Sequence, residues 1–329
     1  MSASDPSQPD LIKDLLTKPI PEKLWHYTSY AGLQGILESK KIFATDLRYL
    51  NDRQEFNHAK VLAMQLANEV VDSSKIGVTD NTLLQSAVNL AFNTGPLRAD
   101  RLQVMVASFS EAEDQLSQWR GYSGASSGVS ISFDLSKLRP PYKIQTGVVF
   151  APCVYELSQK RAVLGQALSH FRRALTEWTS DIVEAVRIDP TLVSKLKNAS
   201  DLGPPYVKEP SINVRLQMAM ASVNFDLARI GPLLKDSSFA EEREWRLVLP
   251  VSTDQELQNH PRQYRPARDT LIPYIAYPFS FERDQPIPVN DVIIGPGGHA
   301  EAKAATSSFL HEHQIRVIPR LSGVPYRPW

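Results

Sequence analysis

The chain has 329 residues, 42% of them hydrophobic and 22% charged, with 36 Lys plus Arg set against 36 Asp plus Glu. That length can bury a large core in one domain or two, and the zero net charge excludes a global pull towards nucleic acid or an anionic membrane, so any such binding has to be local. The single cysteine, Cys153, excludes an intramolecular disulfide and lies in an apolar run where burial is expected, and no apolar run approaches the ~18 residues of a bilayer span.

Residues 1–22 read as a flexible lead-in. Met1 to Asp10 is rich in Ser, Asp and Pro and has no basic start followed by an apolar stretch, so a secretory signal is not expected and the protein reads as soluble and cytoplasmic. A short segment, Leu11 to Leu16, precedes the Pro-Ile-Pro break at 19–21. Folding is expected from Lys23, as one catalytic-type domain over 23–329.

Leu24-Trp25-His26-Tyr27 predicts a short aromatic strand, and Ser29 predicts the cap of a helix with Leu33, Ile36 and Leu37 on one face. Ile42-Phe43-Ala44 reads as a second strand. Leu50-Asn51-Asp52 reads as a turn capping a helix that carries Phe56, Val61, Leu62 and Leu66, broken at 75–82 and followed by another helix over about 82–92. Val104 to Phe109 is a nearly continuous apolar run, expected in the centre of a sheet. Val129, Ile131 and Phe133 alternate with Ser130 and Ser132, which predicts a strand with one apolar and one polar face, and residues 144–155 predict a further strand. Helical spacing of Leu164, Leu168, Phe171, Leu175 and Trp178 marks 157–198, and another helix is expected over about 211–230. Together they read as a helical insertion at about 157–235 between strands of one sheet. Strands are expected again at 244–249, 271–277, 290–294 and 315–318, with a helix at 299–311. The class implied is α+β.

Three motifs are polar where a simple core would be apolar. On a strand His26 points away from Trp25 and Tyr27, so the rings can enter the core while the imidazole faces a cleft or is satisfied by a backbone group. Ser108-Phe109-Ser110 closes the central strand ahead of Gln118-Trp119-Arg120-Gly121-Tyr122. An aromatic there can stack on a flat ring, or the segment is a surface loop pinned by a core Trp119. Arg120 suits a phosphate or a pairing with Glu111 or Glu113. In extended conformation Glu242, Glu244 and Arg246 share one face and Trp245, Leu247 and Leu249 the other. An exposed salt-bridge ladder is one reading, but the strongly apolar partner face places the strand in the sheet interior with paired carboxylates. Repulsion would raise one carboxyl pKa while Arg246 keeps the other anionic, which suits the oxocarbenium-like transition state of glycosidic cleavage.

The order of His26 to Leu37, Tyr49 to Glu55, Ser108 to Phe133, Glu242 to Leu247, Ile294 to Pro296 and Val324 to Arg327 resembles an uncharacterised bacterial family over nearly the whole chain. A wider resemblance is to ADP-ribosyltransferases of the His-Tyr-Glu type, particularly the DarT-type toxins that modify DNA. It implies an α+β fold of split, mixed β-sheets with flanking helices, binding NAD as substrate between two abutting sheets, in a toxin or antiphage effector. On that resemblance His26 would hold a ribose hydroxyl and Tyr122, or Tyr27 in its place, would stack on nicotinamide. Glu244 would stabilise the oxocarbenium ion, and Glu242 would orient the acceptor. The NAD-binding set so implied is His26, Tyr27, Thr28, Ser108, Arg120 and Tyr122, with Glu242, Glu244 and Arg246 catalytic. The acceptor would be nucleic acid or protein, and a neutralising partner would be in keeping.

Two other readings stand beside it: a metal-dependent nuclease using His26, Asp52, Glu55 and Glu242, and a sensor or partner-binding domain gripping a ligand with Trp119 and Tyr122. Gly295-Pro296-Gly297-Gly298 reads as a tight turn or a phosphate-binding junction, and Arg262 to Arg268 as a loop, solvated or forming a nucleic-acid groove. His299, His311 and His313 lack a third ligand at metal spacing, so no metal site is expected.

Overall fold

The computed structural model describes residues 9–50, 55–73, 103–122, 128–134, 148–169, 225–251, 261–267, 269–278 and 287–325. The chain divides into two compact units. One comprises Met1–Asp14, Gln54–Gln103 and Glu156–Leu234, the other Leu15–Arg53, Val104–Tyr155 and Lys235–Trp329. The stretch read as a helical insertion is thus one of three segments of the first unit.

The lead-in carries a helix, α1 (Leu11–Leu16). The Asp10 carboxylate accepts from Lys13 N–H at its start, and Ile12 N–H donates to Gln166 Oε1. The long helix of the first unit is α3 (Glu55–Ser73). Its buried stripe is Ala59, Leu62, Ala63, Leu66 and Ala67, a spacing of three and four. Val61, expected on that face, lies 52% exposed because it falls two positions from Ala59, on the far side of the helix. Residues 157–169 are helical, with Leu164 and Leu168 buried, as are 225–230. Phe56's side chain, the break at 75–82, the helix at 82–92, residues 170–198 with their three aromatic and Leu positions, and 211–224 lie outside the described residues.

The second unit is an α+β fold built on a ten-stranded mixed sheet. The strands are β1 (Leu24–Thr28), β2 (Lys41–Asp46), β3 (Gln103–Ser110), β4 (Val129–Phe133), β5 (Val149–Pro152), β6 (Glu244–Val251), β7 (Arg262–Pro266), β8 (Leu271–Pro278), β9 (Val289–Ile294) and β10 (Arg320–Leu321). Their order is β10-β9-β4-β1-β3-β2-β8-β7, and β6 joins through β3 and β5. All the pairs with recorded register are antiparallel except β10 with β9.

Helix α2 (Tyr30–Ser39) follows β1 after one capping residue, Ser29, whose hydroxyl accepts from Gly32 N–H. Its Leu33, Ile36 and Leu37 enter the main core with Leu24, Ile42, Met105, Phe109, Ile131, Phe133, Trp245, Val292 and Leu310. Leu310 comes from the helix Ala300–Glu312. Cys153 is a free, buried thiol.

Three strand expectations differ. β4 is buried at every position, Ser130 and Ser132 included. It lies between β1 and β9, where Ser130 faces Tyr27 and Ile293, and Ser132 faces Trp25. The serines make room for a second small core of Trp25, Tyr27, Trp119 and Ile293. The Arg262 to Arg268 segment is no loop through 262–266: it is β7, paired with β8. Residues 315–318 form no strand. Ile318 is 79% exposed, and pairing with β9 begins two residues later at Arg320.

Candidate functional site

A strand has two edges, yet β3 pairs with β1, β2 and β6, so two partners share an edge along different stretches. β1 is paired with β4 from Leu24 to Thr28 but with β3 only at Trp25 opposite Ser110. β2 meets β3 at Val106 and Met105. Between those stretches lie Ala107, Ser108 and Phe109, which with Val106 wall a cavity of about 640 Å³. β1, β2, the start of α2 and the helix Leu116–Tyr122 supply further walls.

His26 occupies the place where β1 leaves β3. Its Nδ1 bonds the Ser108 carbonyl at 2.8 Å, and because a carbonyl only accepts, Nδ1 carries the hydrogen. Nε2 is therefore the acceptor nitrogen of a ring that lines the cavity. Burial, joined by the positive charge of Arg265, outweighs the Ser108 carbonyl and lowers the His26 pKa to about 4. The imidazole is neutral at neutral pH.

Tyr27 lines the same cavity, and Trp119 packs against its ring. The Tyr27 hydroxyl donates to Ala112 O at 2.7 Å and accepts from Gln115 N–H at 3.0 Å. Its ring meets Trp119 edge-on at 4.8 Å, and Trp119 Nε1 donates to Asp114. Tyr122, the other aromatic of the second motif, packs against the same small core. It ends its helix on the cavity wall. Burial raises its pKa, and the negative charge of Glu244 adds to the effect. Thr28 and Ser108 also line the cavity, whereas Arg120 is exposed and is not part of its wall. Of the acids named for Arg120, Glu111 accepts from Trp245 Nε1 and Glu113 pairs with Arg320.

The third motif departs from the expected extended face. Asp236 caps a 3-10 turn, Ser237–Glu242, and Arg243 closes it in the left-handed region at φ 43°. β6 begins only at Glu244, so Glu242 is brought back by the turn rather than by strand alternation. Lys235 Nζ donates to Glu242 Oε2 and to Glu244 Oε2, each at 2.5 Å. Arg246 forks onto Glu244, Nε to Oε1 at 2.8 Å and Nη2 to Oε2 at 3.0 Å. All four side chains are buried, and all eight residues of β6 are too, which excludes the exposed ladder.

Burial raises the pKa of Glu242 against the pull of Lys235. For Glu244, burial acts upward but the charges of Arg246 and Lys235 prevail and hold it at about 2. The pair splits as paired carboxylates should, with Lys235 as an unforeseen member. It follows a buried apolar run, Ile230–Leu234, with no periodicity to mark its partners.

β3 staples the turn in place. Ser110 Oγ donates to Glu242 O, and Glu111 N–H donates to Arg243 O. The first two motifs thus share the cavity. The carboxylate cluster stands off its wall, linked through the end of β3 and acting electrostatically on Tyr122.

Gly295 to Gly298 is a tight turn, with Gly297 at φ 87° and Gly298 N–H donating to Gly295 O. Among the described residues no group of three or more His, Cys, Asp or Glu is placed to hold a metal, and no helix is long and apolar enough to cross a membrane. Asp52 and the Glu55 side chain, two of the residues named for a nuclease, lie outside the described residues.

No curated protein and no solved structure matches the chain. Over residues 118–247, which carry Tyr122, Lys235 and the Glu242 to Arg246 segment, the chain is similar to a family described as Protein of unknown function (DUF2971).

Proposed function

We propose that the protein is an NAD-dependent ADP-ribosyltransferase whose substrate site is the cavity walled by β1, β2 and β3. One juxtaposition carries the reading: a neutral His26 whose ring lines the cavity, and Tyr122 on the same wall within the field of the buried anion Glu244. The volume of about 640 Å³ lies within the ~300–1,000 Å³ usual for small-molecule sites.

In such a transfer the bond from the ribose to the cationic nicotinamide nitrogen breaks, and its electron pair returns to the ring, which leaves neutral. An acceptor atom then bonds to the ribose carbon and gives up its proton. Positive charge builds on the sugar between these events, and a carboxylate held ionised by Arg246 and Lys235 is the group that favours it. Glu242, the weaker acid, suits the departing proton. Nucleic acid or protein as acceptor, and a role as toxin or antiphage effector, belong to this proposal.

The test is nicotinamide release from NAD in the presence of cell-derived acceptors, together with NAD binding by calorimetry. Glu244→Gln is expected to cut transfer by ~10²-fold or more while near-ultraviolet dichroism stays unchanged. Absence of both release and binding in the wild type overturns the reading.

A non-enzymatic ligand-binding domain is favoured by one observation: both oxygens of Glu244 are already hydrogen-bonded, and the cluster stands off the cavity wall. Full biological activity of a Glu242→Ala, Glu244→Ala double variant would select it.

A further inference from the structure

The cavity contains a cation that the described fold does not neutralise. Arg265 stands on β7 opposite Ile272 of β8. Its side chain crosses β8, with the guanidinium carbon 5.7 Å from the centre of the Tyr274 ring, and Nη2 donates to Thr45 Oγ1 on β2 at 2.9 Å. The register accounts for this reach, since Tyr274 pairs with Thr45 on one side and with Gln263 on the other.

Among the described residues no carboxylate pairs with Arg265. Asp46, next to Thr45, is taken by Arg48 at 2.7 Å. A guanidinium has five N–H donors, and Thr45 engages one of them. Arg265 is half-buried, and burial lowers its own pKa, so the charged form is partly stripped of solvent and has no counter-ion among the described residues. Its charge also reaches His26, which shares the cavity wall. A partly desolvated cation with no anion among the described residues of its cavity wall is what an anionic ligand would relieve. The rest of the wall indicates what else that ligand carries. Phe43, Tyr49, Phe109 and Tyr122 are aromatic, and the volume far exceeds that of one phosphate.

We propose that Arg265 is the anion anchor of this cavity and binds the phosphates of a nucleotide whose rings lie against the aromatic wall. The assignment deepens the transferase reading, from which it takes the cavity as the ligand site, and does not require that transfer occurs.

The experiment uses the full chain with ADP-ribose, ADP, adenosine and inorganic pyrophosphate, by calorimetry, and follows the His26 ring by NMR titration. ADP-ribose and ADP are expected to bind the wild type, and Arg265→Gln to weaken both by roughly 10- to 100-fold with adenosine unaffected. Arg265→Lys, which keeps charge without the fork, should fall between. A bound phosphate offsets the Arg265 charge, so the His26 pKa should rise from about 4 when ADP-ribose binds. Unchanged affinity in Arg265→Gln, or no His26 shift on binding, overturns the anchor. Pyrophosphate binding as tightly as ADP overturns the nucleotide part. Should Arg265→Gln fail to fold, the wild-type titration decides. Arg265-dependent ADP-ribose binding without NAD turnover sinks the transferase and leaves the anchor, whereas turnover indifferent to Arg265→Gln does the reverse.

Discussion

Lys235 Nζ sits between two carboxylates that would repel each other without it. Removing one partner of a buried charge cluster leaves the others uncompensated, so Lys235→Met is expected to destabilise the protein by about 3–5 kcal/mol in urea unfolding. The loss should be smaller at pH 5 than at pH 8. Burial and the Glu244 charge already raise the Glu242 pKa, and without Lys235 to oppose them Glu242 takes up a proton more readily and sheds the conflict. Adding Glu242→Gln to Lys235→Met should recover part of the loss, a coupling that a double-mutant cycle measures. Equal losses at both pH values would show that Lys235 acts by packing alone. Its role could not be read from the chain, because Glu242 meets it through a turn that only the left-handed Arg243 completes.

At the scale of elements, local rules located most of the sheet. Ser29 caps α2 and Leu33, Ile36 and Leu37 are its buried face, as spacing predicted, and β3, β6, β8 and β9 follow their apolar runs. β7 was missed for a physical reason. It is an edge strand, mostly exposed and with Arg, Gln and Pro in its sequence, so its only strand signature is the hydrogen-bonding to β8. The junction after β9 depends on a close approach. A Cβ at Gly295 would lie 2.9 Å from two carbons of the Trp119 ring and 3.2 Å from Gly128 O. Trp119 is held by Asp114 and Tyr27 and has nowhere to retreat. Gly295→Ala should therefore cost about 1–3 kcal/mol, seen as a lower thermal midpoint, and an unchanged midpoint would mean that the Trp119 pocket yields.

For the whole molecule, the depressed pKa values of the buried His26 and Glu244 shape the response to acid. His26 ordinarily titrates near 6.5 and is lowered to about 4, and Glu244 moves from 4.5 to about 2. In both cases the unfolded chain takes up the proton first, so stability present at neutral pH falls as pH drops, from 6.5 towards 4 for His26 and from 4.5 towards 2 for Glu244. The raised Glu242 acts in the opposite sense and offsets part of the decline. Urea unfolding followed by tryptophan fluorescence across this range should show both windows. His26→Gln should flatten the upper and Glu244→Gln the lower, and a curve unaffected by either change would contradict these charge states. The sequence by itself determined the α+β class, the cap and face of α2, the interior position of β6 and the polarity of the three motifs, since period, capping and alternation are properties of short stretches. Only the tertiary structure decided that Tyr27 and Tyr122 line one cavity, that Lys235 completes the carboxylate pair, and that Arg265 reaches the cavity across β8. Those outcomes depend on strand order, register and a left-handed turn, which bring together residues that no local pattern relates.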